Sequence, residues 1–234
     1  MDMPNLNSEP KLIANQLWGA MPHRVRQRLA PFLKRVPLTS GTELTEAGKK
    51  CCFVYFPTHG QVTIFYVMSP KYEVVIASVG KEGIVGACTL VEGPVFKLRS
   101  LVNVSGSAYR LPSSLLKTEL VQNTQLQSVF LSYLHQRMLD ASQMALCNRF
   151  HTIEQQLSRF LLSVSTAAPA QHIFLTQELI AKNLGVRREG VTLAASKLQR
   201  LGVICYHRGH IHILNREHLS QCACECDFDA SLPI

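Results

Sequence analysis

Residues 174–213 read FLTQELIAKNLGVRREGVTLAASKLQRLGVICYHRGHIHI, and this stretch decides the architecture of the C-terminal part of the chain. Thr176 stands just before an apolar-periodic run and predicts a helix N-cap. Asn183 to Val186 predict a tight turn at Gly185. A second helix is expected from Arg187 to about Leu201, with Val191, Ala194, Ala195 and Leu198 at helical spacing on its buried face. Leu179, Ala181, Leu184 and Val186 supply a small core between the two helices. Beyond Gly202, the alternation of Ile211 and Ile213 around Arg208 and Gly209 predicts a short hairpin.

A helix, a four-residue turn with glycine, and a second helix form the geometry that seats the second helix in a DNA major groove. Here that helix opens with Arg187, Arg188, Glu189, Gly190, Val191 and Thr192. Arginine donates two bonds to guanine O6 and N7, and glutamate accepts one from cytosine N4. Gly190 costs up to about 1 kcal/mol relative to alanine, a cost that is tolerable if a side chain there would strike the DNA. Thr176 and Gln177 can reach phosphates through hydroxyl, amide and backbone N–H. His207, Arg208 and His210 on the hairpin, or wing, can reach the backbone or minor groove.

Charge follows the same division. Residues 150–216 hold eight Lys/Arg and three Asp/Glu, a net of +5, whereas residues 1–149 hold 16 and 9, a net of +7 over more than twice the length. A basic domain of this kind suits a polyanion. The last 18 residues carry four acids (Glu217, Glu225, Asp227 and Asp229) and no Lys or Arg. That tail also holds Cys222, Cys224 and Cys226. Spacing of two puts three thiols on one face of an extended segment, where they could hold a soft metal or oxidise. The plainer expectation is reduced thiols packed on the domain, with no metal assigned. Eight cysteines without an apolar leader at Met1–Pro10 do not form a secreted framework, so free thiols are expected.

Upstream, the chain from 115 to 168 lacks Gly and Pro. Ser113 or Ser114 is the expected cap of its first helix, and a break is expected near Phe150–Ile153, with Thr152 capping a second helix through Leu162. Leu126, Phe130, Leu134, Met138, Ala141 and Ala145 form one apolar stripe. It packs either on its own domain or, as the sharper reading has it, against a second copy as a dimer seam. Residues 11–35 read as short helical pieces, with Leu29, Phe32 and Leu33 on an apolar face. Between Val36 and Leu111 come short strands (Phe53–Phe56, Val62–Met68, Val74–Val79, Leu101–Val104). The breakers between them are Gly48, His59 with Gly60, Ser69 with Pro70, Gly80, Gly93 with Pro94, and Ser105 with Gly106. Many short strands at this spacing suggest a jelly-roll barrel. The fold class is therefore α+β: a β-barrel domain (1–112), a long dimerisation helix (113–150) and a winged helix-turn-helix domain with a cysteine-rich tail (151–234).

The stretch from Leu175 to Ile204 resembles the DNA-binding domain of the CRP/FNR superfamily of transcription regulators, and the order of barrel, long helix and hinge is similar. The resemblance implies a cyclic-nucleotide-binding-like jelly-roll barrel that senses an effector, and a homodimer joined through the long helix. It implies recognition of an inverted-repeat operator in double-stranded DNA, and contact with RNA polymerase if the protein activates. By position, Arg188 and Glu189 match the superfamily's base readers, and Thr176, Glu178 and His207 its phosphate contacts. Its usual second arginine falls on Leu193. That residue lies four beyond Glu189 and so nearly in line with it. Cyclic-nucleotide sensors of the superfamily need a Gly-Glu pair, but Gly86 is followed by Ala87; Arg99 and Ser100 fit the phosphate position poorly. No cysteine precedes Cys51, unlike the iron–sulfur sensors, and His59 and Cys88 are nominal haem candidates only. The effector stays unassigned, and a constitutive regulator with a scaffold barrel remains open.

An enzyme is not expected. Metal-dependent jelly-roll enzymes cluster histidines on adjacent strands, and His59 is the only histidine between Val36 and Leu111. His210 and His212 share a strand face without a third ligand. No run approaches the roughly 18 apolar residues of a membrane span, so the expectation is a cytoplasmic protein without a membrane partner.

Overall fold

The computed structural model describes residues 14–49, 51–69, 72–91, 97–167 and 172–226. Pro70, Gly93, Pro94, Asp227, Asp229, the Met1–Pro10 stretch and residues 168–171 of the expected linker lie outside the described residues. Two short helices, α1 (Gln16–Ala20) and α2 (His23–Leu29), open the fold. Leu17, Trp18, Met21, Val25 and Leu29 are buried, while Phe32 is half exposed and takes little part in the expected face with Leu29. Asn15 caps α1 through its Oδ1, and its Nδ2 donates to the carbonyls of Pro57 and Gly83, tying the helix to the sheet.

The strands are β1 (Lys34–Leu38), β2 (Glu43–Thr45), β3 (Phe53–Ser69), β4 (Tyr72–Val79) and β5 (Leu98–Pro112). They form one antiparallel sheet in the order β1-β5-β3-β4, with β2 also on β5. The sequence suggested breaks at His59–Gly60 and Ser105–Gly106; the structure instead has two long, bent strands. The β3–β5 register shifts between Pro57 and Val62, and Gly60 has φ +83°. A Cβ at Gly60 would stand 2.5 Å from the Val104 carbonyl oxygen, and one at Gly106 would overlap the His59 carbonyl. The bulge bends the pair without ending the ladder, which only glycine permits at so close a backbone approach. One core lies between the sheet and the helices (Val54, Phe56, Leu111 with Leu17, Leu116, Leu126 and Phe130), another within the bent sheet (Val62, Val79, Val85, Val102).

Helix α3 (Ser113–Gln122) follows directly. Pro112 occupies its N-cap position, and neither Ser113 nor Ser114 caps it. A break unforeseen in the sequence falls at Asn123, whose Oδ1 accepts from the Leu126 N–H at 2.9 Å and starts α4 (Thr124–Phe150). The expected break after Phe150 is present, with His151 as C-cap. Thr152 Oγ1 accepts from the Gln155 N–H at 3.3 Å, while Gln155 Oε1 accepts from the Thr152 N–H at 3.0 Å. This reciprocal capping box starts α5 (Ile153–Ala167), which runs past Leu162.

The remaining elements are β6 (His172–Phe174), α6 (Gln177–Leu184), α7 (Arg188–Arg200), β7 (Ile204–His207), β8 (His210–Ile213) and α8 (Arg216–Cys222). The wing hairpin gains a third strand, in the order β6-β8-β7. Leu157, Leu161, Val164, Ile180, Leu184, Val191, Leu198, Val203 and Ile211 form the core of this domain.

The two domains touch through α6. Lys182 Nζ lies 3.2 Å from Glu73 on β4, which also receives a bidentate pair of bonds from Arg99 at 2.7 and 2.9 Å. Thr63 Oγ1 donates to Asn183 Oδ1 at 3.2 Å in a buried position. The two cations hold the Glu73 carboxyl below the usual carboxylate range, the Arg99 hydrogen bonds contributing most.

Candidate nucleic-acid interface

Local chemistry builds the helix-turn-helix. Thr176 Oγ1 accepts from the Leu179 N–H at 3.2 Å, giving α6 its N-cap. At the other end Gly185 has φ +65°, its N–H reaches Lys182 O, and the Val186 N–H reaches Ala181 O at 3.0 Å. This paired closure with a left-handed glycine ends α6 and aims the chain into the next helix. Arg187 is extended, the N-cap of α7 rather than its first residue, and no side chain caps that helix.

Helix α7 divides cleanly. Val191, Ala194, Ala195 and Leu198 are buried, as their spacing required. Arg188, Glu189, Thr192, Leu193, Ser196 and Gln199 are exposed. Arg188, Thr192, Ser196 and Gln199 line one wall of a groove whose other parts are Thr176, Gln177, Tyr206 and Arg208. Thr192 Oγ1 bonds both Gln177 Oε1 (3.0 Å) and the Arg188 carbonyl (3.1 Å), so the two helices share a polar edge. Ser196 and Gln199 were not singled out in the sequence; their places four and seven residues after Thr192 would have found them. Glu189 and Leu193 form the neighbouring stripe, and Leu193 is 72% exposed. Glu178 is exposed at the mouth of α6, with Lys182 Nζ 3.9 Å away.

The wing turns on Arg208 (φ +47°) and Gly209 (φ +87°). Two left-handed residues make the tight hairpin turn whose twist matches its strands. Arg208 and His207 are thereby exposed at its tip. Tyr206 Oη donates to the Leu175 carbonyl at 2.9 Å and fixes the wing against the base of α6. Burial pushes the Tyr206 phenol pKa up, and nearby Arg188 partly offsets this.

One sequence expectation fails at Gly190. A Cβ there would meet Ile153 Cδ1 at 2.7 Å. The position is therefore packed against the start of α5 behind α7, where a larger residue would have to displace the end of the Ile153 side chain, and it does not face outward.

These features match a known domain type: residues 155–222 match the Crp-like helix-turn-helix domain family. Most of the chain is also similar to solved structures. A transcriptional regulator of the Crp/Fnr family from Eubacterium rectale aligns over 88% of this chain and 96% of its own, with a TM-score of 0.71 and 17% identity. FixK2 from Bradyrhizobium japonicum aligns over 82% and 98% (TM-score 0.66, 19% identity). The c-di-GMP-responsive regulator CLP of Xanthomonas campestris aligns over 82% and 99% (TM-score 0.65, 17% identity). The chain has the CRP/FNR fold. No curated protein sequence matches it.

In the N-terminal sheet domain, the two residues that fit a cyclic-phosphate position poorly in the sequence are otherwise engaged. Arg99 is held by Glu73 and lies 4.2 Å over the Phe65 ring, and Ser100 shares a 2.7 Å hydrogen bond with Thr45. Gly86, at φ +87°, starts the short helical turn Ala87–Leu90. The Ala87 side chain offers no acceptor to a ribose.

Helix α4 corrects the expected seam. Leu126 and Phe130 are buried against the barrel of their own chain, whereas Leu131, Leu134, Met138, Leu139, Leu146 and Phe150 are exposed. The cysteine tail also differs from the expected single face. Cys222 ends α8 and packs near the domain core, while Cys224 and Cys226 lie beside Cys147 and His151. All eight cysteines are free thiols.

Proposed function

We propose that this chain is a homodimeric, sequence-specific DNA-binding transcription regulator that places α7 in the major groove. The observation that carries the reading is the exposed face of α7 within a Crp-like helix-turn-helix domain, with Arg188 and Thr192 in a groove closed by Arg208 of the wing. Arg188 and Glu189 read base edges, and Leu193 meets a thymine methyl, to which an apolar side chain is suited. Thr176, Gln177, Glu178, Arg187, His207 and Arg208 flank this face and position the backbone. Two such helices in a two-fold dimer read an inverted repeat with half-site centres about 34 Å apart.

The second copy joins along the exposed side of α4, through Leu131, Leu134, Met138, Ala141 and Ala145. Unpaired apolar side chains in a row on one helix are what a parallel helix pair buries. The barrel does not bind cyclic AMP, since Ala87 replaces the ribose acceptor and Arg99 is committed to Glu73. Such a regulator acts where the DNA is, in the cytoplasm, and among the described residues no helix is long and apolar enough to cross a membrane. If it activates, RNA polymerase is a further partner.

Selection of bound duplexes from a random pool by the full chain tests the reading. The expected outcome is a two-fold symmetric motif whose affinity falls steeply with salt. Recovery of no enriched motif, or an affinity indifferent to salt, overturns it.

A further inference from the structure

Four metal-ligating side chains from separate parts of the sequence meet beside the junction of α4 and α5. Cys147 lies in the last turn of α4, His151 caps that helix, and Cys224 and Cys226 arrive from the segment after α8. Their ligand atoms all lie within 4.8 Å of one another. We propose that this chain binds one Zn²⁺ through Cys147, His151, Cys224 and Cys226, pinning the segment after the winged domain across the α4–α5 junction.

The donor set is the first argument. Three thiols and one imidazole make a closed tetrahedral zinc site, whose ligand atoms stand roughly 3.8 Å apart for bonds of about 2.3 Å to sulfur and 2.0–2.1 Å to nitrogen. Cys226 Sγ is already 3.6 Å from His151 Nδ1, so small side-chain rotations complete the tetrahedron. A set without oxygen donors does not suit calcium or magnesium. The His151 N–H donates to the Cys147 carbonyl at 3.1 Å, which keeps the two residues together at the end of α4, and the return of the chain from α8 supplies the other two ligands.

The surroundings are the second argument. Arg159 Nη1 donates to Cys147 Sγ at 3.1 Å, and Gln143 Nε2 lies 3.8 Å from the same sulfur. Three thiolates around Zn²⁺ leave a net charge of −1, which the guanidinium offsets. Buried Gln156 donates through Nε2 to the carbonyls of Cys147 (3.3 Å) and His151 (2.9 Å), fixing the backbone that carries both ligands. Such outer partners orient ligands and tune their affinity. Cys147 and Cys224 are buried, leaving no open coordination position for chemistry; the site is structural.

The test uses the full chain, reduced and stripped with a chelator, then titrated with Co²⁺ and afterwards with Zn²⁺. The expected result is the thiolate-to-cobalt charge-transfer and visible bands of a tetrahedral site, saturating at one Co²⁺ per chain and bleached by equimolar Zn²⁺. The double variant Cys224→Ser with Cys226→Ser loses the bands. Cys222→Ser, which removes a neighbouring thiol outside the cluster, keeps them. Arg159→Gln keeps the spectrum and weakens zinc binding roughly 10- to 100-fold. A wild-type chain without these bands overturns the proposal whether or not any variant folds, as does a double variant that retains them or a Cys222→Ser variant that loses them. An iron–sulfur chromophore with acid-labile sulfide in anaerobically purified protein overturns the assignment to zinc. No DNA enters the experiment, so its outcome is separate from that of the regulator reading.

Discussion

Helices α4 and α7 present opposite solutions to the same problem. Helix α7 has an apolar side that its own domain covers and a polar side left open. Helix α4 buries Leu126, Phe130 and Tyr133 on the barrel, yet also exposes Leu131, Leu134, Met138, Leu139, Leu146 and Phe150. The first pattern is complete within one chain and waits for a polar ligand. The second is incomplete within one chain and calls for apolar cover. A single stripe drawn through the sequence of α4 mixes these two sides, because Phe130 and Leu134 are four residues apart and still face different neighbours.

The difference is easiest to break at Phe130, 6% exposed. Phe130→Glu removes a core ring and buries an unpaired carboxylate. It is expected to cost more than about 4 kcal/mol and to unfold the barrel rather than separate subunits. Thermal melting followed by circular dichroism reads this, and a folded monomer would contradict the packing. Leu134→Glu with Met138→Glu should act in the other way: dimers become monomers by light scattering, stability within the chain changes by about 1 kcal/mol or less, and DNA affinity collapses. A double variant that stays dimeric removes the seam from this face of α4.

On α7, Arg188→Ala should erase a guanine preference at one position per half-site, worth roughly 1–3 kcal/mol, with the melting temperature unchanged. Leu193→Arg should add a guanine preference at a different position. Selected motifs identical for all three proteins would mean that α7 does not read bases as argued.

The contact between domains gives a pH-dependent effect of smaller size. Arg99, with Lys182, depresses the Glu73 pKa in the folded state. Its contribution is present in full above the ordinary glutamate value of about 4.3 and is lost as pH falls through the lower native value. Glu73→Gln should remove this acid sensitivity, read as a flatter dependence of melting temperature on pH below that range. The smallest effect is expected at Gly190. Gly190→Ala gains helix propensity of up to about 1 kcal/mol against a shift of Ile153, so stability should change little. The selected DNA motif should not change at all, since the position faces α5.

Much of the recognition domain was legible because its signals are local. Thr176, Gly185, Thr152 with Gln155, and Arg208 with Gly209 each act within a few residues, and a hydrogen bond or a left-handed φ follows from residue type at that spacing. The barrel was legible only as alternation. Its long strands hide where they bend, because the need for glycine at positions 60 and 106 arises from the opposing strand. Strand β6 escaped notice for a related reason, since its three residues pair with β8 some forty positions away.

The amino-acid sequence by itself determined the order of sheet, long helix and helix-turn-helix, the start of α5, the ends of α6, and the exposed chemistry of α7. Periodicity and capping are properties of neighbours along the chain, and they carry this information. Only the tertiary structure decided which side of α4 is covered, that Gly190 answers to Ile153, that Arg99 is spent on Glu73, and that Cys226 reaches His151 across 75 positions. These depend on which surfaces meet after the chain has closed on itself, and spacing along a sequence does not encode that meeting.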